Sequence, residues 1–126
     1  MTKPKGPLAL VPMAYVRSVQ DSIAFYRRFG FEVGNTNTLP GETEPNWAWL
    51  QSHRAQLMLA RATSPVVASD QAVLFYVYVA DVEAFRAGLL EAGMEAGPIR
   101  QPFYAPRGEF RVTDPDGYVV MVTHAG

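Results

Sequence analysis

The chain has 126 residues, enough for one ordinary domain and too few for two. Hydrophobic residues make up 48% and charged residues 18%, a balance that supports a packed core, and the net charge of −1 excludes the basic surplus of a nucleic-acid binder. With no cysteine, disulfides, thiolate chemistry and Cys-based metal sites are excluded. The opening Met1-Thr2-Lys3-Pro4-Lys5-Gly6 is polar and precedes only a short apolar run. It reads as neither a signal peptide nor a membrane span, and the expected location is the cytoplasm.

Residues 9–16 read as a strand. Ser18 is a helix cap with Asp21 three residues on, and Val19, Ile23 and Tyr26 fall on one helical face. Gly30 supplies the positive φ that ends this helix. Phe31–Thr36 reads as a strand, Leu39–Pro45 as a loop, and Trp47–Gln51 and Ala55–Arg61 as further strands. Ala62–Asp70 is a linker. Val73–Val79 is β-branched and aromatic, hence a strand. Asp81 caps a second helix with the stripe Val82, Phe85 and Leu89, and Gly93 ends it. Strands are expected near Glu95–Arg100, Gly108–Thr113 and Tyr118–Thr123, with Asp114-Pro115-Asp116-Gly117 as a turn.

The two halves are copies of each other. At an offset of 63 positions, Tyr15-Val16 meets Tyr78-Val79, Val19 meets Val82, and Met58 meets Met121. Gly30, Glu32 and Gly34 meet Gly93, Glu95 and Gly97, and no gap is needed. Self-similarity over half the chain means a duplicated module rather than a solenoid. The expected fold is α+β: two tandem β-α-β-β-β modules, about 8–62 and 71–125, forming a curved mixed sheet around a cleft within one domain, 1–126.

The segment Val16-Arg17-Ser18-Val19-Gln20-Asp21-Ser22-Ile23-Ala24-Phe25-Tyr26, followed by Phe29-Gly30-Phe31-Glu32, resembles the opening of glyoxalase/bleomycin-resistance/dioxygenase (vicinal oxygen chelate) proteins. Arg111-Val112-Thr113-Asp114-Pro115-Asp116-Gly117-Tyr118 resembles the motif before their last strand. The resemblance covers nearly the whole chain and includes the duplication, and it is nearest the metal-free bleomycin-resistance-like members. It implies that metal-using relatives place ligands on the first and last strands of each module. The matching positions here are Val11, Met58, Leu74 and Met121, all apolar. A hard divalent cation needs oxygen or imidazole donors, so the expectation is no metal and no cofactor. His53 and His124, the only histidines, read as solvated surface residues.

Catalytic patterns are thin: there is no Gly-x-Ser-x-Gly, no phosphate-cradling loop and no His-Glu-x-x-His. Glu109 and Arg111 alternate with Phe110 and Val112 and can point into the cleft, either as functional groups or as a pair neutralising each other. Strand alternation lines that cleft with Met13, Tyr15, Gln56, Met58, Ala60, Leu74, Tyr76, Tyr78, Met121 and Thr123. Trp47 and Trp49 share a face, on either side of the sheet, and Phe103-Tyr104 sits in a loop that can cover the mouth. Such a lining suits an aromatic or cationic drug-like ligand. The expected function is small-molecule binding, as in antibiotic sequestration, rather than turnover; the alternative is a glyoxalase-like lyase or dioxygenase-type enzyme. The resemblance further implies a homodimer with N-terminal strand exchange near Pro12, where proline tolerates a strand edge. Neither nucleic acid nor membrane is an expected partner.

Overall fold

The computed structural model describes residues 2–126. Seven strands and two helices follow in the order β1 (Met13–Val16), α1 (Val19–Arg28), β2 (Glu32–Asn37), β3 (Trp47–Ser52), β4 (Ala55–Arg61), β5 (Leu74–Val79), α2 (Val82–Glu91), β6 (Glu109–Thr113) and β7 (Val119–His124). The helix signals act as their chemistry dictates. The Ser18 hydroxyl accepts from the Asp21 N–H at 3.1 Å, and the Asp81 carboxylate accepts from the Ala84 N–H at 3.0 Å. Such caps stabilise a helix by about 1 kcal/mol each. Gly30 and Gly93 close the helices at φ 95° and 82°. β1 is shorter than the run 9–16: residues 9–12 are not paired as strand, although the Pro12 carbonyl still accepts from the Met58 N–H at 2.9 Å.

Module one is a four-stranded mixed sheet in the order β1-β4-β3-β2, with β1 parallel to β4. Module two has three strands in the order β5-β7-β6. No ladder joins the two sheets, so the curved sheet is in two pieces, with β1 and β5 at free edges. The strand expected at Glu95–Arg100 reduces to a bridge between Arg100 and Glu109 and a bond from the Gly97 N–H to the Arg111 carbonyl at 2.9 Å. Pro98 has no N–H to donate. The carbonyls of Gly97 and Ala96 are taken by the Arg86 guanidinium, at 2.7 and 3.2 Å.

The parallel ladders repeat in register. Met13 pairs with Met58 and Tyr15 with Ala60; their counterparts Tyr76 and Met121, and Tyr78 and Thr123, pair identically. The antiparallel hairpins do not. Ala60 pairs with Trp47, but its counterpart Thr123 pairs with Glu109, one position earlier than the offset requires. The β3–β4 turn has two central residues, His53 and Arg54, with His53 at φ 53°. The β6–β7 turn is the longer Asp114–Tyr118. The gapless alignment therefore slips by one residue at β6, and Glu109 and Arg111 occupy the places of Trp47 and Trp49.

One hydrophobic cluster draws on both modules: Val16, Tyr26, Phe29, Leu50 and Leu59 from the first, and Val82, Leu89, Phe110, Val120 and Val122 from the second. The helices meet at Phe29 and Phe85, with ring centroids 5.6 Å apart. A polar clasp reinforces this junction. The Tyr26 hydroxyl donates to Asp114 Oδ2 at 2.7 Å, while Asp114 Oδ1 accepts from the N–H groups of Asp116 and Tyr118 at 2.9 Å each. Asp116 accepts from the Arg17 N–H and Nε at 2.8 and 3.0 Å, and from the Ser22 hydroxyl at 3.5 Å. The second family-like motif is thus the piece that fastens the last hairpin to α1.

Candidate functional site

In each sheet one face packs on the helices and the other is open. Ala48 and Leu50 of β3 and Leu57 and Leu59 of β4 are buried in the core, so alternation turns Trp47, Trp49, Met58 and Ala60 to the open face. Cross-strand partners share a face. This gives two rows in module one: Met13–Met58–Trp49–Asn35 and Tyr15–Ala60–Trp47–Asn37. The face of Trp47 and Trp49, left open by the sequence, is the aromatic one. Asn35 and Asn37 share this face, which sequence reasoning missed because β2 is polar at nearly every position and shows no alternation to read.

Module two carries the matching rows Tyr76–Met121–Arg111 and Tyr78–Thr123–Glu109, with Leu74 beside Val119. Phe110 and Val112 are buried on the other side. Leu74, Tyr76 and Tyr78 are 52%, 43% and 65% exposed, large apolar surface that folding of one chain leaves uncovered. Phe103 stands free in its loop, but Tyr104 is tied down: its hydroxyl donates to Glu109 Oε1 at 2.7 Å. That bond, ahead of desolvation, pushes the Tyr104 phenol up to about 12.

Glu109 is the unusual group here. It is only 6% exposed, and its Oε2 is buried without a hydrogen-bond partner. No ion pair joins it to Arg111; among the described residues the ion pairs are Arg17–Asp116 and Arg61–Glu42. The second of these forks Arg61 onto the Leu39–Pro45 loop and, by its hydrogen bond, holds the Glu42 carboxyl below the usual range.

The four positions that the resemblance assigns to metal ligands do not fit a divalent cation. Met58, Leu74 and Met121 lie on the open faces and Val11 just before β1, and none offers an oxygen or imidazole donor. No group of three or more His, Cys, Asp or Glu placed to hold a metal occurs among the described residues. His53 is exposed in its turn, as expected. His124 is not a solvated residue: its Nε2 is buried without a partner, and its Nδ1 lies 2.9 Å from an Arg107 nitrogen.

Both aromatic faces stand open in a single chain, with Tyr15, Tyr76 and Tyr78 54%, 43% and 65% exposed. A concavity of about 470 Å³ is lined by Tyr15, Tyr118 and the linker residues Ala62–Val67, Asp70 and Gln71. A second, of about 290 Å³, lies at Gly41–Glu44 and Arg61. Neither touches Trp47, Trp49, Tyr76, Tyr78 or Glu109. No helix among the described residues is long and apolar enough to cross a membrane.

Solved structures share this architecture. The bleomycin resistance determinant encoded on the transposon Tn5 is 15% identical with a TM-score of 0.76, covering 92% of this chain and 96% of that one. The bleomycin-binding protein of Streptomyces verticillus, solved with copper(II)-bleomycin, is 19% identical with a TM-score of 0.69 over the full length of both. Lactoylglutathione lyase from Agrobacterium tumefaciens is 21% identical with a TM-score of 0.64, covering 96% of each chain. At these identities the likeness is one of fold. Among curated proteins, none matches the sequence. The profile of the glyoxalase/bleomycin resistance protein/dioxygenase superfamily matches residues 10–122, and with the paired β-α-β modules this places the chain in that superfamily.

Proposed function

We propose that this protein binds and sequesters a drug-like or natural-product molecule, and that it does so as a homodimer. In that dimer the module-one face of one copy and the module-two face of the other wall each ligand site. The observation that carries this reading is the open aromatic surface of both sheets, around Met58, Leu74 and Met121, whose side chains do not ligate a hard cation. Tyr15, Tyr76 and Tyr78 are between 43% and 65% exposed in one chain, and stacking on such rings is worth about 1 kcal/mol per contact. Two copies supply the second wall that one chain lacks. The exposed segment before Pro12, with Leu8 and Leu10 free, supports strand exchange between them.

A thermal-shift screen against planar aromatic and cationic antibiotics tests this. A ligand at a hundred times its Kd adds about 2.7 kcal/mol, enough to raise the Tm of a chain this size by roughly 10 °C. No stabilisation by any compound would overturn the reading. So would stoichiometric nickel, zinc, manganese or iron in protein purified without chelator, which points to the lyase or dioxygenase alternative.

A further inference from the structure

We infer that Glu109 is the anchor for a protonated amine on the ligand, inside a partial cage of Tyr76, Tyr78 and Tyr104. This rests on the binding reading above and names the chemistry of one subsite within it.

Four observations converge. The Glu109 carboxylate is buried yet has no cation: one oxygen accepts from the Tyr104 hydroxyl at 2.7 Å, and the other accepts from nothing. A buried carboxylate oxygen without a donor is costly, and such a vacancy calls for an explanation. The register places Glu109 in line with Thr123 and Tyr78 on the open face. Thr123 does not fill the vacancy, because its hydroxyl donates to the Gly108 carbonyl at 3.3 Å. The Tyr76 and Tyr78 rings lie 6.3 Å apart, and Tyr104 reaches over from its loop, so aromatic surface borders the carboxylate. Aromatic faces attract ammonium groups, and a carboxylate between them completes the recognition.

The backbone is built to hold the acid there. Gly108 takes φ 106°, and a Cβ on it would lie 2.8 Å from Ile99 Cγ2, so only glycine makes this entry into β6 without strain. The Glu109 N–H and carbonyl are both engaged with Arg100, at 2.9 Å each. Glu109 also stands at the place of Trp47 in the other module. A site walled by one face of each kind therefore sets an acid against an indole. It fits a flat ring that stacks on tryptophan while its amine reaches the carboxylate. A neutral isostere would stack equally well but bring no positive charge to Oε2.

Calorimetric titration with 1-naphthylmethylamine and with 1-naphthalenemethanol, its neutral counterpart, tests the assignment at neutral pH. The intact protein is expected to bind the amine at least tenfold more tightly than the alcohol. Glu109→Gln should lose that preference while keeping its affinity for the alcohol, with circular dichroism and Tm showing that it folds. Tyr104→Phe, which removes the hydroxyl and keeps the ring, should retain a preference for the amine. Equal affinities for the two probes in the intact protein, or a preference that survives Glu109→Gln, overturn the amine subsite and leave small-molecule binding standing. Failure of both probes to bind at millimolar concentration overturns the amine subsite, while small-molecule binding falls only with the thermal-shift screen.

Discussion

Asp114 is buried and holds three donors at once: the Tyr26 hydroxyl and the N–H groups of Asp116 and Tyr118. Burial pushes its carboxyl above the usual carboxylate range, against the lowering effect of those donors. The Tyr26 phenol is driven up as well, by its own burial and then by Asp114, so it remains a donor at any ordinary pH. A carboxyl raised in the folded state adds stability that is complete below its unfolded pKa and is lost as pH rises through its folded one. Asp114→Asn keeps the volume and the oxygen that takes the Asp116 and Tyr118 N–H groups, turns an amide NH2 toward the Tyr26 hydroxyl, and cannot titrate. Its expected stability near neutral pH is within about 1 kcal/mol of the parent. As pH falls toward the ordinary carboxylate range the parent should gain on the variant, which urea midpoints across that range will show. Asp114→Ala instead strands a phenol and two amides, at a cost of about 3 kcal/mol or more.

Turns decide how the elements of this fold line up. Gly117 sits at φ 89° in the β6–β7 turn, and a Cβ there would lie 2.5 Å from Ala68 Cβ and 2.6 Å from its Cα. The clash is with backbone in the linker, which cannot step aside as a flexible side chain does. Gly117→Ala is expected to cost about 2–4 kcal/mol from strain and overpacking together, measured by chemical denaturation. Gly41→Ala is the control, with a positive φ of 81° but no atom within 4 Å of the added carbon, and should cost about 1 kcal/mol. The same turns mark what the sequence could tell. Caps at Ser18 and Asp81 and stops at Gly30 and Gly93 are local chemistry, and they were legible. The residues that share the open faces of β1, β4, β5 and β7 followed from alternation alone. The slip that brings Glu109 opposite Thr123 was not legible, because a hairpin's register depends on its turn length and identity matches at Met58 and Met121 concealed the extra residue. The strand lost at Glu95–Arg100 was hidden for a different reason: Arg86, on α2, takes the carbonyls that a ladder would need.

At the scale of the whole molecule, the chain puts apolar surface where a lone copy does not use it. Leu8 and Leu10 are 82% and 87% exposed, and among the described residues none before Ala14 belongs to the core. Burying one such side chain gains about 1.5–3 kcal/mol, so two leucines docked on a partner make a sizeable contribution to association. β1 and β5 both end their sheets with unpaired backbone, which gives an arriving strand somewhere to bond. If the arm crosses to a second copy, Leu8→Ser with Leu10→Ser should raise the dimer dissociation constant at least tenfold in sedimentation velocity. Far-UV circular dichroism should not change, since the arm contributes nothing to either module's core. Ligand affinity should fall with the dimer and recover at high protein concentration, because the second wall of the site is then restored by mass action. A chain that sediments as a monomer at every concentration yet binds ligand would place the whole site on one copy. A dimer indifferent to both leucines would leave the shared cleft standing and remove strand exchange from it.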